Sequence, residues 1–333
     1  MKPVIFGLSG LTLTDAERNF FRSANPCGFI LFKRNVETRA QLQALTDDLR
    51  VLTGRDDVPI LIDQEGGRVA RMGPPEWPAF PAGPAFDALY DLAPISAIEA
   101  ARVNAHALAL MLAEVGINVD CMPLLDVAQP DTTEAIACRL FGREPQRVAA
   151  MGRAVLDGLA RGGVAGVVKH LPGYGRAVID PHYGLPVVSA SAEALEIDLA
   201  PFIALKDATM GMTSHIVFEA WDAERPATLS PVIVEEIIRC RIGFDGLLIT
   251  DDIDMKALSG TAGEKAVGAL AAGCDIVLDC WARMAEMEDI AGRIGDIPPQ
   301  SRARLDRALA AMTPPAGDAA ELSAKRDALL ALV

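Results

Sequence analysis

Several features are scarce or missing in this sequence of 333 residues, and each absence narrows the choice of protein class. The six cysteines form no Cys-x-x-Cys pair and no compact disulfide framework, so we expect mostly small, buried thiols in a reducing compartment. Basic residues are outnumbered, 31 against 45 acidic ones, and the net charge of −14 repels polyanions. This charge argues against nucleic acid or an anionic membrane surface as the main partner.

Long apolar runs are also missing, since none approaches the roughly 18–20 residues that a bilayer span requires. The N-terminal residues 1–14 have Lys2 before a short apolar stretch, but Gly7, Ser9 and Gly10 interrupt it, and no small-residue cleavage site is apparent. We therefore interpret the stretch as a first β-strand and expect a cytoplasmic protein.

The composition is that of a globular chain, with 51% apolar and 23% charged residues. Eight short apolar runs alternate with helical stretches, and continuous apolar runs are typical of parallel strands covered on both faces. They span residues 4–8, 28–32, 58–62, 117–121, 164–168, 209–213, 246–250 and 274–279. The pattern predicts an α/β fold, a single (β/α)8 barrel domain over residues 1–333, with residues 298–333 as a helical extension packed outside.

Two helix starts carry a capping signature. Thr14-x-x-Glu17 and Ser96-x-x-Glu99 both read as capping boxes, in which a hydroxyl and a carboxylate three residues later satisfy backbone amides. The second box predicts the start of a long Ala-rich helix that ends at Gly116.

Ionisable residues follow five of the predicted strands. They are Asp63, Asp126, Lys169, His170, His215, Asp251 and Asp252. In a (β/α)8 barrel these strand ends meet on one face, where active sites are built. A structural interpretation stays open, because an Asp that ends a strand is often a helix N-cap; a cap explains only one of the adjacent acids Asp251 and Asp252. His106, inside the Ala-rich helix, reads as a surface or satisfied histidine.

The connection after the fifth strand, residues 171–186, is long for a barrel, and structureless loops over about twelve residues are commonly functional. It contains Asp180-x-His182, and a carboxylate beside an imidazole can orient the ring and raise its basicity. An Asx-type turn with an incidental histidine is the alternative.

A carboxylate fixed at a strand end and an imidazole on a loop can divide the work of glycoside hydrolysis. One group attacks the anomeric carbon, and the other protonates the departing oxygen near neutral pH. Asp63, Arg71, Arg139 and Lys169 could then hold sugar hydroxyls by charge-assisted hydrogen bonds.

Three sequence elements resemble glycoside hydrolase family 3, specifically its single-domain β-N-acetylglucosaminidases of the NagZ type. IDQEGGRVAR at 62–71 resembles the family's DQEGGRVxR element, and KHLPG at 169–173 with DPH at 180–182 resembles KHFPGHG followed by DSH. FDG at 244–246 with TDDIDM at 250–255 resembles FDG followed by SDDLSM. Together with weaker matches, these elements run in family order over most of the chain.

The resemblance implies a retaining, two-step mechanism that uses no metal or organic cofactor. Asp251 would be the nucleophile, and His182 the general acid and then base, with Asp180 as its dyad partner. The positions that bind the terminal N-acetylglucosamine in relatives correspond to Asp63, Arg71, Arg139, Lys169 and His170. Such relatives remove this sugar from muropeptides during peptidoglycan recycling in the cytoplasm. We expect the same saccharide substrate here, and a monomer.

Three departures from the family pattern stand near these residues. Tyr174 replaces the second histidine of KHFPGHG, and Pro181 replaces the serine of DSH, so the loop that carries His182 is expected to be stiffer. Cys138 precedes Arg139 where relatives often have an acid, which we expect to loosen the placement of that arginine.

Other functions stay open at this point. A family-3 enzyme could act on β-glucosides or xylosides instead. A metal-dependent amidohydrolase could gather His170, His182, His215 and Asp251 around zinc, although the first strand ends without the usual His-x-His. A sugar-binding barrel without catalysis is a further alternative if the substitutions at Tyr174 and Pro181 mark a decayed enzyme.

Overall fold

The structure is a computed structural model that describes residues 1–181 and 183–333. Its strands are β1 (Lys2–Gly7), β2 (Pro26–Leu31), β3 (Ile60–Ile62), β4 (Val119–Asp120), β5 (Ala165–Leu171), β6 (Val187–Val188), β7 (Met210–Thr213), β8 (Val217–Phe218), β9 (Leu247–Asp252) and β10 (Ile276–Asp279). All except β6 and β8 form a closed parallel barrel in which β1 pairs with both β2 and β10. Each predicted apolar run overlaps one barrel strand, so the (β/α)8 prediction is confirmed.

Helices surround the barrel. They are α1 (Asp15–Ala24), α2 (Arg39–Thr53), α3 (Gly83–Leu92), α4 (Pro94–Glu114), α5 (Glu134–Ala137), α6 (Pro145–Arg161), α7 (Glu196–Ala204), α8 (Ala262–Ala272), α9 (Met284–Arg293), α10 (Pro299–Ala310) and α11 (Ala319–Leu330). A π-helix at Ile233–Ile242 precedes β9, and β6 and β8 pair in a small parallel sheet of their own.

Side chains alternate between the two faces of each barrel strand, as the pleat requires. One apolar cluster fills the barrel interior, with Leu61, Val167 and Ile249 among its members. A larger cluster contains neighbours one residue away, such as Val168 and Leu248, and packs between the barrel wall and the helices. This period of two decides which strand-end residues face the barrel mouth.

One predicted capping box is present and the other is not. Thr14 and Glu17 cap α1 reciprocally as predicted. The Ser96 box is wrong: α4 already begins at Pro94, because a proline's fixed φ suits the first helical position, and Ser96 therefore lies inside the first turn.

From the sequence we expect no apolar run close to the length of a bilayer span, but one helix meets that criterion. Within the described chain, α4 is long and apolar enough to cross a membrane by length and composition, but 61% of its apolar window is buried inside the protein. It packs against α3, α6 and α11. It is therefore a largely buried helix of the layer that surrounds the barrel. Its His106 is a satisfied histidine as predicted, with Nε2 2.5 Å from the carbonyl oxygen of Ala316.

The six thiols are unpaired, and Cys27, Cys121, Cys274 and Cys280 are buried, as predicted for most of them. Cys138 is half-buried and Cys240 is exposed.

The predicted helical extension contains two helices with different roles. α11 lies on the outside of α4, whereas α10 is joined to the amino-terminal end of the barrel by the buried carboxylate of Asp275. One oxygen of Asp275 accepts from Ser301 Oγ at 2.7 Å and from Arg304 Nη1 at 3.0 Å. The other accepts from Arg239 Nη2 at 2.7 Å and from the Leu248 amide at 2.9 Å. α10 is therefore bonded to the barrel itself.

We predict that Asp275→Asn lowers the free energy of unfolding by about 3–5 kcal/mol, because it removes the charge that two buried arginines share. Denaturant unfolding measures this loss. The matched control is Asp245→Asn, which removes a carboxylate that also binds Arg304 but is 70% exposed, and should cost less than about 1 kcal/mol. Equal losses in both variants would contradict a special role for the buried acid.

Candidate active site

A cavity of about 440 Å³ opens at the carboxyl ends of the barrel strands. Seven of the eight predicted site residues line it: Asp63, Arg71, Arg139, Lys169, His170, Asp180 and Asp251. The eighth, His182, lies outside the described residues, so the predicted Asp180–His182 dyad has no described geometry. The structure thus brings side chains from the ends of three barrel strands and from three connecting segments to one mouth.

Asp63 and Lys169 follow inward-facing positions of β3 and β5 by two residues, and this period aims both into the mouth. Lys169 Nζ lies 3.2 Å from Asp63 Oδ1, and Arg71 Nη2 lies 3.1 Å from Asp63 Oδ2. Burial alone would raise the pKa of Asp63, but the two cations outweigh it and lower the pKa. Asp63 therefore stays ionised and can accept hydrogen bonds from sugar hydroxyls.

Glu65 is the residue that the sequence interpretation missed, although it lies in the quoted motif. Its carboxylate accepts from Arg139 at 2.7 and 2.6 Å and from Lys169 Nζ at 2.7 Å. Burial opposes ionisation, but both cations hold the pKa of Glu65 well below its usual range. The bidentate pair fixes Arg139 next to Cys138, so the expected loosening of that arginine is wrong.

His170 is held from behind by Asp126, which is completely buried. One oxygen of Asp126 lies 2.8 Å from His170 Nδ1, and the other accepts from the backbone amides of His170 and Tyr174 at 3.2 and 2.7 Å. Asp126 is therefore an orienting group for the imidazole and not a helix cap. The bond to Nδ1 leaves Nε2 as the nitrogen available to a ligand.

The adjacent acids Asp251 and Asp252 lie on opposite faces of β9. Asp251 is in step with the inward Leu247 and Ile249 and lines the cavity. Asp252 accepts from Trp281 Nε1 at 2.9 Å and from the Cys280 amide at 3.3 Å, and it is also in contact with the cavity. Burial, then the charge of Asp251, raises the pKa of Asp252 to about 6. Asp252 thus supports the end of the strand, and Asp251 is its neighbour in the mouth.

His215 is not a cavity residue, contrary to the expectation for strand-end histidines. It is fully buried, with Nδ1 2.7 Å from Thr228 Oγ1 and Nε2 2.9 Å from the Asp252 carbonyl oxygen. Burial lowers its pKa. Among residues 1–181 and 183–333, no group of three or more His, Cys, Asp and Glu side chains is arranged to hold a metal ion. The zinc arrangement considered from sequence therefore has no counterpart in that part of the chain.

The long connection after β5 is packed onto the barrel at several points. Tyr174 is buried, its ring lies 5.4 Å from that of His170, and its hydroxyl donates to the Ile179 carbonyl at 3.4 Å. The Ala257 amide donates to the Pro181 carbonyl at 3.1 Å. Tyr174, Asp180 and Pro181 all line the cavity. Both substituted positions are thus built into the mouth.

Comparison with known proteins fits this geometry. Residues 7–310 match the glycosyl hydrolase family 3 N-terminal domain. The chain belongs to glycosyl hydrolase family 3.

Similar proteins of this family have been described in bacteria. The beta-hexosaminidase of Bordetella avium is 36% identical over 303 residues, which are 89% of this chain and 85% of that protein. The beta-hexosaminidase of Chromobacterium violaceum is 38% identical over 84% of this chain and 78% of its own length. The structure of NagZ from Neisseria gonorrhoeae in complex with N-trifluoroacetyl-D-glucosamine aligns with a TM-score of 0.87 at 30% identity, over 99% of this chain and 98% of that one.

A buried acid stands behind the Asp251–Asp252 pair. Asp279, at the end of β10, is completely buried, and neither of its carboxyl oxygens has a hydrogen-bond partner within the described residues. Burial, then the nearby charges of Asp252 and Glu286, raises the pKa of Asp279 to about 8. This carboxyl is therefore protonated at neutral pH and becomes an uncompensated buried charge in alkali.

We predict that Asp279→Asn stabilises the protein in a pH-dependent way. A raised pKa in the folded state means that the native protein holds this proton where the unfolded chain has lost it, so wild-type stability falls as pH rises from about 4 to 8. The gain from the variant should therefore grow by roughly 2–4 kcal/mol between pH 5 and pH 8. Denaturant unfolding at both pH values measures it.

The control is Asp289→Asn, because a hydrogen bond from Arg293 lowers the pKa of Asp289 to about 2. That acid is ionised in both states throughout the window, so its variant should show no trend. A stability change in Asp279→Asn that is the same at both pH values would contradict a buried acid that titrates near 8.

Proposed function

We propose that this chain is a retaining exo-β-N-acetylglucosaminidase that removes terminal β-linked N-acetylglucosamine from peptidoglycan fragments. The observation that carries the proposal is one cavity at the barrel mouth that combines a carboxylate at a strand end, Asp251, with the charged group of Asp63, Arg71 and Lys169. The names of the relatives, beta-hexosaminidase and NagZ, support the class of sugar.

In the proposed reaction, the Asp251 carboxylate attacks the anomeric carbon while the His182 imidazolium protonates the glycosidic oxygen. The carbon–oxygen bond to the leaving group breaks, and an ester joins the sugar to Asp251. Neutral His182 then takes a proton from water, whose oxygen displaces Asp251 from the anomeric carbon. Asp180 orients the His182 ring in both steps. Two displacements at one carbon retain its configuration.

The sugar is held by residues with fixed charges. Asp63 accepts hydrogen bonds from hydroxyls, and Lys169 and Arg71 donate them without change of their own ionisation. Burial opposes the charge of Lys169, but Glu65 and Asp63 raise its pKa above the usual value. Arg139 and His170, each already held by a buried carboxylate, complete the wall of this subsite.

The proposed setting is the cytoplasm, where such a monomeric enzyme would recycle cell-wall fragments. Six unpaired thiols, four of them buried, suit a reducing compartment. The net charge of −14 suits a small saccharide substrate better than a polyanion.

We predict that Asp251→Asn retains the fold and lowers kcat for aryl β-N-acetylglucosaminide by at least about 10³-fold, because an amide cannot form the glycosyl ester. Steady-state turnover and a thermal unfolding curve are measured on both proteins, with Asp245→Asn, an exposed acid at the amino-terminal end of β9, as the control. Aryl β-glucoside is assayed in parallel. Faster cleavage of the glucoside by the wild type would overturn the assignment of sugar specificity.

We predict that His182→Ala slows substrates with poor leaving groups far more than those with activated phenols, since only the former need a proton on the departing oxygen. The ratio of kcat/KM for phenyl and 2,4-dinitrophenyl N-acetylglucosaminides measures the difference. Equal losses on both substrates would show that His182 is not the proton donor.

A further inference from the structure

The rim of the cavity carries one prominent aromatic side chain that neither the sequence motifs nor the proposed chemistry use. Trp281 lies two residues beyond β10, lines the cavity, and is 53% exposed. The other aromatic residues that line it are less accessible: Tyr174 is buried, and the Phe32 ring is covered by the guanidinium groups of Arg34 and Arg71 at 4.9 and 5.3 Å from its centre.

Trp281 has two side-chain contacts with the protein although it is exposed. Its indole Nε1 donates to Asp252 Oδ2 at 2.9 Å, and the Arg283 guanidinium lies over the ring at 5.7 Å from the centre. Arg283 is itself paired with Asp254 and with Glu286, the latter at 3.0 Å. The polar edge and one face of the indole are therefore engaged by protein, and the exposed remainder is an apolar surface at the cavity.

The backbone next to Trp281 is in an unusual conformation. Ala282 has φ of 57°, in the left-handed region that costs a residue with a Cβ atom about 1 kcal/mol or more. This turn lies between Trp281 and Arg283, the two side chains that are stacked. A strained residue is retained where the surrounding structure needs it, which makes the placement of the indole a built feature of the mouth.

The position of Trp281 relative to the reacting atoms indicates what it binds. Its partner Asp252 directly follows Asp251 in the sequence, and the Asp252 amide donates to Asp251 Oδ1 at 2.8 Å. In the proposed reaction, the sugar attacked by Asp251 occupies the part of the mouth near Asp63 and Lys169, so the departing group lies outward, towards the rim.

We propose that Trp281 is the platform of a leaving-group subsite and binds the apolar C–H face of a pyranose aglycone. An indole offers a large, rigid, apolar surface at little cost in conformational entropy, and its polar edge is already satisfied by Asp252. The inference rests on the proposed glycosidase function. It assigns the residue that recognises the sugar ring on the departing side of the bond.

The test compares two donors with the same N-acetylglucosaminyl group. N,N′-diacetylchitobiose releases a pyranose, whereas N-acetyl-β-glucosaminyl fluoride releases only fluoride and cannot use the platform. In Trp281→Ala, kcat/KM for the disaccharide should fall at least about tenfold more than kcat/KM for the fluoride, with most of the difference in KM.

Trp281→Phe is the matched variant, because phenylalanine retains an aromatic face and loses the bond to Asp252. It should recover most of the disaccharide kcat/KM that Trp281→Ala loses. Thermal unfolding curves of both variants verify that each is folded.

Three outcomes would overturn the proposal. Equal losses on both donors in Trp281→Ala would mean that the indole acts only through Asp252. Equal disaccharide losses in the Phe and Ala variants would mean that the hydrogen bond, and not the ring face, is used. A wild-type protein that turns over neither donor would overturn the proposed glycosidase function itself, and the platform with it.

Discussion

The barrel mouth depends on one buried carboxylate, that of Glu65. Lys169 and Arg139 would otherwise place two cations in a region with little water, where each charge costs several kcal/mol to bury. Glu65 pairs with both through three short contacts, and Asp63 supplies a second negative charge 3.2 Å from Lys169. These four side chains alternate in charge, and their contacts fix the geometry of this part of the cavity before any sugar binds. Such preorganisation means that little reorganisation of these side chains is needed when a sugar binds.

The pleat of β9 places two adjacent acids in different surroundings. In β9, Asp251 takes the inward step and faces the mouth, while Asp252 takes the outward step and bonds to Trp281 and to the backbone after β10. Two identical side chains, adjacent in sequence, therefore have different surroundings. Neither could replace the other without a shift of register, which would turn every residue of the strand to the opposite face.

Much of this arrangement was predictable from sequence. The alternation of side chains between the two faces of a strand explains both the correct predictions and one wrong one. Asp63, Lys169 and Asp251 each follow an inward apolar residue by two positions, so their place in the mouth could be foreseen. His215 follows the inward Met212 by three positions and points away, a signal that was present in the sequence but not used. His170 breaks the rule and still reaches the cavity, because Asp126 holds its ring there.

Other features could not be foreseen because they depend on contacts between distant segments. Glu65 is one charged residue in a polar motif, and only the fold shows that Arg139, 74 positions away, donates twice to it. The capping box at Ser96 failed because Pro94 is a stronger local signal for a helix start. Trp281 follows a strand end, as the other mouth residues do, but a lone aromatic residue carries no sign of which surface it will expose.

The hydrogen bonds between α10 and Asp275 have a consequence for how the barrel is completed during synthesis. Its partner Arg304 emerges from the ribosome after all eight barrel strands. A nascent chain that has already paired β1 with β10 therefore still lacks the bond from Arg304 to Asp275. The segment after residue 298 is thus synthesised last and completes the hydrogen bonds of a buried acid. A shortened chain that ends with the last strand would keep the bonds of Asp275 to Arg239 and the Leu248 amide and lose those to Ser301 and Arg304.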